Sequence, residues 1–290
     1  MKKLIFACLC GMIALGAAAQ TVTRKINVPS FTGISASSIY QITLVKGSSC
    51  SVEVVCEQAY EDAIRIRTVG TILEMRLETE MLEKRLRNNM PPIRAVIRMP
   101  SLELLHLSGA SSLTTEATFD VGRFEARLSG ATRAQGLSVN GKEADVIISG
   151  ASGFEMRGKF QSADFEVSGA SHLNADVDAG TFRLGATGAS TIKLDLETGR
   201  TNFEVSGAAS VTATGRADYV IGEVSGASRL AIGAVNARET DLECSGAAAA
   251  DVAPTERFRV NVSGASSVTY HGDPRMEIVY VSKSSSLRKR

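Results

Sequence analysis

The stretch EVSGASHLNADVDAGTFRLGATGAS, residues 166–190, contains two copies of a short motif, Ser/Thr-Gly-Ala-Ser. This motif or a close variant occurs nine times between residues 108 and 266, at intervals of 18 to 21 residues. Its glycines are Gly109, Gly130, Gly150, Gly169, Gly188, Gly207, Gly226, Gly246 and Gly264. A fixed period near 20 residues is typical of one short structural unit stacked many times.

Apolar and polar residues alternate on both sides of each motif glycine. Residues at even offsets, such as Val167 and Leu173 around Gly169, are mostly apolar, and residues at odd offsets are mostly polar. A period of two is typical of strands with one buried face. The alternation continues for about six residues on each side of the glycine, which exceeds common strand lengths, so we expect a bend at the glycine.

Each repeat therefore predicts two or three short strands that form one coil. The fold class that follows is all-β, a right-handed parallel β-helix (solenoid) with about 19–20 residues per coil, whose inward side chains stack in aliphatic columns. A β-propeller is the alternative architecture. Its blades need about 40 residues and four strands each, so a period near 19 fits it poorly.

The two ends of the chain differ from the repeats. Residues 1–19 are predicted to be a signal peptide, with Lys2 and Lys3 before an apolar stretch and small residues before Gln20. The mature protein is then exported to the periplasm, the outer membrane or the cell surface. Residues 282–290 are a polar basic tail, for which a solvated end and contact with an acidic surface both remain open.

Residues 20–100 are predicted to form N-terminal coils with a capping insertion, followed over 101–281 by the regular β-helix in one continuous domain. A helix-like segment lies between Glu78 and Asn89, and Ser35-Ala36-Ser37-Ser38 resembles a degenerate first repeat. The predicted strands are Thr23–Val28, Ile39–Val45, Ser51–Cys56, Thr71–Leu77 and Ile93–Met99.

The composition argues against two classes of protein, those that bind nucleic acids and those that span a membrane. A formal net charge of +1 without a basic domain argues against a nucleic-acid partner, and no later segment is apolar for long enough to span a membrane.

Removal of the signal leaves Cys50, Cys56 and Cys244, too few for a disulfide-built fold. Cys50 and Cys56 would lie about 20 Å apart on an extended strand, beyond disulfide reach. Cys244 occupies an aliphatic column, so we expect a buried thiol.

Several segments resemble one family. Phe31-Thr32-Gly33-Ile34, Pro100-Ser101-Leu102, the serial motifs and Tyr270-His271-Gly272-Asp273-Pro274 are similar to the head GIN domain of autotransporter adhesins, a family common in Bacteroidetes cell envelopes. The resemblance covers nearly all of the mature chain. It implies a β-helix and an envelope or surface location.

No catalytic, cofactor or metal site is predicted. His106, His172 and His271 show neither zinc-ligand spacing nor a nucleophile–base pairing. An acidic stripe lies three residues before the motif glycine, formed by Glu166, Glu204, Glu223 and Glu243. Like charges across paired strands are unfavourable, so this stripe is either a solvated face or, alternatively, a calcium-binding one. The Ser or Thr before each motif glycine and the Ala after it form a second outward stripe of small residues. Either a tight corner admits only small side chains there, or the stripe is a flat face on which another chain or a glycan docks.

The sequence favours a non-enzymatic, exported β-helix of the cell envelope that serves as an adhesion or surface-interaction module. Its partners would be a cell-surface protein or a glycan. A carbohydrate-active enzyme, a polysaccharide lyase or hydrolase on the same scaffold, is one alternative, because such enzymes use clustered carboxylates. A structural spacer is the other alternative.

Overall fold

The computed structural model describes residues 21–87 and 90–290. It is nearly all β, with 67% strand and 4% helix, and forms a β-solenoid of about ten turns. The predicted parallel solenoid is confirmed. The predicted signal peptide lies outside the described residues, as does the end of the helix-like segment at Asn88 and Asn89.

The N-terminal part mixes parallel and antiparallel strands. Its strands are β1 (Thr21–Ile26), β2 (Gly33–Ala36), β3 (Tyr40–Lys46), β4 (Ser51–Glu57), β5 (Ile64–Val69), β6 (Ile72–Leu77) and β7 (Ile93–Met99). Strands β2, β3, β6 and β7 form parallel coils, whereas β1 pairs antiparallel with β4, β4 with β7, and β5 with β6. The five predicted strands are present, but β2, β5 and the antiparallel pairings were not predicted.

A short insertion packs against the first coils. It comprises two 3-10 helices, Gln58–Ala63 and Thr79–Met81, and the helix α1 (Lys84–Arg87). Leu82 is buried in the core, and the Tyr60 hydroxyl donates a hydrogen bond to the Leu86 carbonyl at 3.2 Å. The predicted helix-like segment thus contains the 3-10 helix Thr79–Met81 and the helix α1.

In the following coils each turn of the solenoid has one strand segment after a motif and one before the next motif. In the later coils these two segments form one continuous strand. The strands are β8 (Leu104–Leu107), β9 (Ser112–Thr114), β10 (Thr118–Asp120), β11 (Arg123–Leu128), β12 (Arg133–Asn140) and β13 (Glu143–Ile148). Next come the continuous strands β14 (Gly153–Val167), β15 (His172–Ala186), β16 (Thr191–Val205), β17 (Ser210–Val224), β18 (Arg229–Cys244) and β19 (Ala249–Val262). The chain closes with β20 (Ser267–Tyr270), β21 (Arg275–Val281) and β22 (Ser286–Lys289).

The core is a set of side-chain columns, because successive coils pair in parallel at an almost constant register. Phe165 lies opposite Leu184, and Leu184 opposite Phe203. All three are completely buried. The even-offset residues therefore point inward, as the sequence predicted, and each coil covers the apolar side of the one before it.

The motif glycines form a backbone ladder at one corner. All nine have a φ angle between 69° and 82°, which side chains rarely adopt. The Ala170 N–H donates to the Gly150 carbonyl oxygen at 2.8 Å, and Ala189 bonds to Gly169 in the same way. A Cβ atom added to Gly169 would lie 2.5 Å from that Gly150 oxygen. Glycine is therefore required both by the turn and by the close approach of the next coil.

The serine that follows Gly-Ala in the motif points into the core. Ser171 is fully buried, and its hydroxyl donates to the Gly150 carbonyl oxygen at 3.3 Å. The other buried hydroxyl residues of this column are Ser111, Thr132, Ser152, Ser190, Ser228 and Ser266. The hydroxyls of Ser152 and Ser266 likewise donate to a glycine carbonyl oxygen of the ladder, which accounts for a polar residue at these inward positions. The hydroxyls of Ser111 and Ser190 have no partner among the described residues.

The ladder has a defined start and end. Ser38 takes the glycine position of the first rung with φ 95°, and it is the single non-glycine residue with positive φ among the described residues. The predicted degenerate first repeat is therefore confirmed. At the other end, the hydroxyls of Ser282 and Ser284 donate to the Gly264 carbonyl oxygen. Within the predicted polar basic tail, Ser286–Lys289 pairs with β20 and begins a further coil.

Candidate functional site

A shallow groove of about 600 Å³ runs along the solenoid on the face that follows the motif. Its outward side chains come from two adjacent columns. One column contains Glu155, Asn174 and Lys193, and the other contains Arg157, Asp176 and Asp195. We call this surface the polar groove. Its volume lies within the range of about 300–1,000 Å³ that is common for ligand sites.

Irregularities in the strands lie at both ends of the polar groove. Strand β12 has a bulge at Gly136, and the pairing of β17 with β18 shifts register between Thr212 and Thr214. A Cβ atom on Gly136 would lie 2.0 Å from the Thr115 carbonyl oxygen, so only glycine fits this bulge. The lining extends over five coil spacings, which corresponds to about 24 Å. Bulges are over-represented beside functional sites, where they re-aim side chains.

Most polar side chains of the groove have no partner in the protein. Within the described part of the chain, no hydrogen bond or ion pair is formed by the side chains of Glu155, Arg157, Asn174, Asp176 and Lys193. The Asp195 carboxylate accepts one hydrogen bond, from the Thr214 hydroxyl at 3.2 Å.

Some other columns of the solenoid surface contain ion pairs. Lys159 and Asp178 pair at 3.0 Å, and Arg238 and Glu256 pair at 3.0 Å. The donors and acceptors of the polar groove are thus free to bind a ligand.

The acidic stripe lies on the opposite strand segment, which precedes the motif. Glu204, Glu223 and Glu243 are in register on successive coils, and Gly185 separates Glu204 from Glu166. Arg183 pairs with Glu204 at 2.9 Å, and Asn261 donates to Glu243 at 3.4 Å.

Two members of the stripe lack such contacts. Among the described residues, Glu166 and Glu223 have no partner, and no group of three His, Cys, Asp or Glu side chains could hold a metal ion. The stripe is therefore a partly neutralised outer face.

Two further carboxylates occupy this face, two residues before the stripe. Asp164 lies between Asp145 and Arg183 in its column. Burial raises the pKa of Asp164, Arg183 opposes that effect, and the charge of Asp145 adds to it. Asp241 accepts a hydrogen bond from the Tyr219 hydroxyl at 2.6 Å. That hydrogen bond is the main reason why the pKa of Tyr219 is raised.

A cluster centred on Arg257 neutralises the acids at the C-terminal end of this face. The Arg257 guanidinium lies 2.8 Å from Glu239, 3.1 Å from Asp241 and 3.6 Å from Glu277. The sequence analysis did not predict this cluster. Its members come from three successive coils, so only knowledge of the register would have brought them together.

Two of the three histidines lie beside carboxylates of neighbouring coils. The His106 ring lies 2.9 Å from the Glu125 carboxylate, and the His271 ring lies 2.9 Å from the Asp251 carboxylate. His172 lies outward at the edge of the groove face.

Cys50, Cys56 and Cys244 are free thiols. Cys244 is fully buried, as predicted, and burial raises its pKa to about 12.

Comparisons with known proteins agree with this architecture. The sequence matches the profile of the family described as "Putative auto-transporter adhesin, head GIN domain" over residues 30–177 and 172–274. A crystal structure of a "putative adhesin" from Parabacteroides distasonis aligns with TM-score 0.53 and 14% identity, over 93% of this chain and 98% of that chain. A "putative adhesin" from Parabacteroides merdae aligns with TM-score 0.53 and 12% identity, over 94% and 97%.

At these identities the two crystal structures show a shared fold. No curated protein matches the sequence. In the part of the chain that the structure describes, no helix has the length and apolar character needed to cross a membrane.

Proposed function

Because this chain belongs to the family described as "Putative auto-transporter adhesin, head GIN domain", we propose that it is a non-enzymatic binding module of the cell envelope. The proposed binding surface is the polar groove, and the proposed ligand is a glycan chain. The adhesin descriptions of the family and of the similar crystal structures support a surface role. The predicted signal peptide supports export.

The observation that carries this proposal is the set of partner-free polar side chains in one groove. Glu155, Arg157, Asn174, Asp176 and Lys193 supply carboxylates, cations and an amide along the solenoid axis. A ligand that satisfied these groups would gain hydrogen bonds without first breaking bonds within the protein. Hydrogen bonds to charged groups contribute about 1.5–3 kcal/mol each, which is enough for several of them to hold a ligand.

A glycan fits this groove better than a peptide strand does. The groove lies in the middle of a parallel sheet, where the backbone groups of β14, β15 and β16 already pair from coil to coil. An extended peptide that binds by strand addition needs a free sheet edge, which this face does not offer. Hydroxyl groups both donate and accept, so a polyhydroxylated chain can match carboxylates, cations and amides in any order.

One feature of the groove favours the alternative of a carbohydrate-active enzyme. Asp176 and Asp195 are direct neighbours on adjacent coils, and glycoside hydrolysis uses a pair of carboxyl groups. That reaction also requires one carboxyl group to stay protonated, which enzymes achieve in an apolar pocket. Both aspartates are exposed on an open face, which favours binding over catalysis.

The test is glycan-array binding of residues 20–290, followed by titration of the strongest glycan. Asn174→Ala in the groove should weaken binding about tenfold, the equivalent of one lost hydrogen bond of about 1.4 kcal/mol. Asn236→Ala is the matched control, because Asn236 is exposed on a column outside the groove lining.

Equal affinities of the two variants would contradict the groove assignment. Release of new reducing or unsaturated sugar ends, abolished by Asp176→Asn with binding retained, would instead establish the enzyme.

A further inference from the structure

The last coil of the solenoid has two free strand edges. Within the described chain, β21 pairs only with β19, and β22 pairs only with β20. The other edge of each strand carries backbone N–H and C=O groups that none of the described strands binds. Such an edge is a ready template for strand addition by another chain.

Apolar side chains accompany these free edges. Ile278, Val279 and Tyr280 are 58%, 55% and 55% exposed. In the preceding coil, Val260 lies in register with Ile278 and is completely buried, because β21 covers it. Ile278 therefore occupies a position that one more strand would cover. An added strand would bury apolar surface as well as pair its backbone.

The charge of this end indicates what kind of strand fits. The side chains of Lys283, Arg288 and Arg290 form no hydrogen bond or ion pair within the described residues. The nearby acids are already occupied, since Asp273 pairs with Lys289 and Glu277 with Arg275. The free edge is therefore basic. Two copies of this end would place like charges opposite each other, which is unfavourable across paired strands.

We propose that the free edge formed by β21 and β22 docks an acidic, extended segment of a partner protein, which adds as the next strand of the solenoid. Backbone pairing would give the interaction its strength, and the three unpaired cations would select acidic over basic segments. This site is separate from the polar groove and does not depend on glycan binding.

The experiment uses the mature chain and two labelled peptides, one of alternating Glu and Val and one of alternating Lys and Val. Fluorescence anisotropy should show that the Glu peptide binds at least about tenfold more tightly, with an affinity that falls as salt rises. The double variant Lys283→Glu with Arg288→Glu should reverse this preference. The control reverses two exposed, unpaired cations far from the edge, Lys142→Glu with Arg216→Glu, and should leave the preference unchanged.

Amide hydrogen exchange distinguishes strand addition from loose electrostatic contact. Binding of the Glu peptide should slow exchange within Arg275–Val281, because these amides would become paired. Equal binding of the two peptides would overturn the proposal, and so would binding that leaves this exchange unchanged. A dimer that protects the same amides without any peptide would overturn it in favour of a second copy of this chain.

Discussion

Replacement of the central motif glycine, Gly169→Ala, should destabilise the protein strongly. An alanine at φ 74° costs about 1–2 kcal/mol from its conformation alone. Its Cβ would also lie 2.5 Å from the Gly150 oxygen, closer than real Cβ contacts approach. Relief requires the two coils to move apart, and such overpacking costs about 1–3 kcal/mol. We expect a total loss of about 2–5 kcal/mol in the free energy of unfolding.

Two other glycines separate these contributions in urea unfolding followed by circular dichroism. Gly70 has φ 59° but nothing within 4 Å of an added Cβ, so Gly70→Ala should cost only the conformational part, about 1–2 kcal/mol. Gly185 lies in a strand without positive φ, and its nearest contact would be 4.0 Å away. Gly185→Ala should be neutral or stabilise by up to about 1 kcal/mol. If Gly169→Ala costs no more than Gly70→Ala, close stacking of the glycine ladder does not contribute to stability.

Three further predictions concern single side chains. The fold raises the pKa of Asp164, so its ionised form is disfavoured once the pH exceeds its ordinary value of about 3.9. Asp164→Asn should therefore raise the urea midpoint near pH 7 and leave it unchanged near pH 3. Thiol labelling of the native protein should modify half-buried Cys50 well before Cys244, and rapid labelling of Cys244 would contradict its place in the core. Glu223→Gln should leave stability unchanged or raise it by up to about 1 kcal/mol, without any effect of calcium on melting; a loss of several kcal/mol would mean a buried, paired carboxylate.

The solenoid was predictable from sequence because the same local pattern recurs many times. The inward columns and the motif corner follow from alternation around each glycine, and Cys244 shows that one column position can be assigned individually. Features that occur once were not predictable in this way. The antiparallel pairings of β1 with β4 and of β5 with β6 depend on contacts with no repeated signal. The Ser286–Lys289 strand has the composition of a charged tail.

The candidate sites were harder to predict than the fold because they depend on register between coils. Glu223 lies in register with Glu204 and Glu243, and the sequence could align them because all three share one offset from the motif glycine. The Arg257 cluster and the polar groove combine different residue types from successive coils. A single repeat carries no sign of either one.

In the solenoid, a residue at an even offset from the motif glycine contributes to the core, and a residue at an odd offset contributes to the outer surface. Stability and ligand binding therefore depend on different residues. Even offsets supply the buried columns, such as Phe165 and Leu184, and odd offsets supply outward groups, such as Asn174 and Lys193. Substitution at an exposed, unpaired odd offset such as Asn174 leaves the column contacts intact, so its effect on stability should stay within the range of about ±0.5 kcal/mol usual for surface positions. The coil spacing of about 4.8 Å meanwhile sets the distance between successive outward side chains. A groove of this kind can therefore change its ligand while the scaffold that spaces its side chains stays the same.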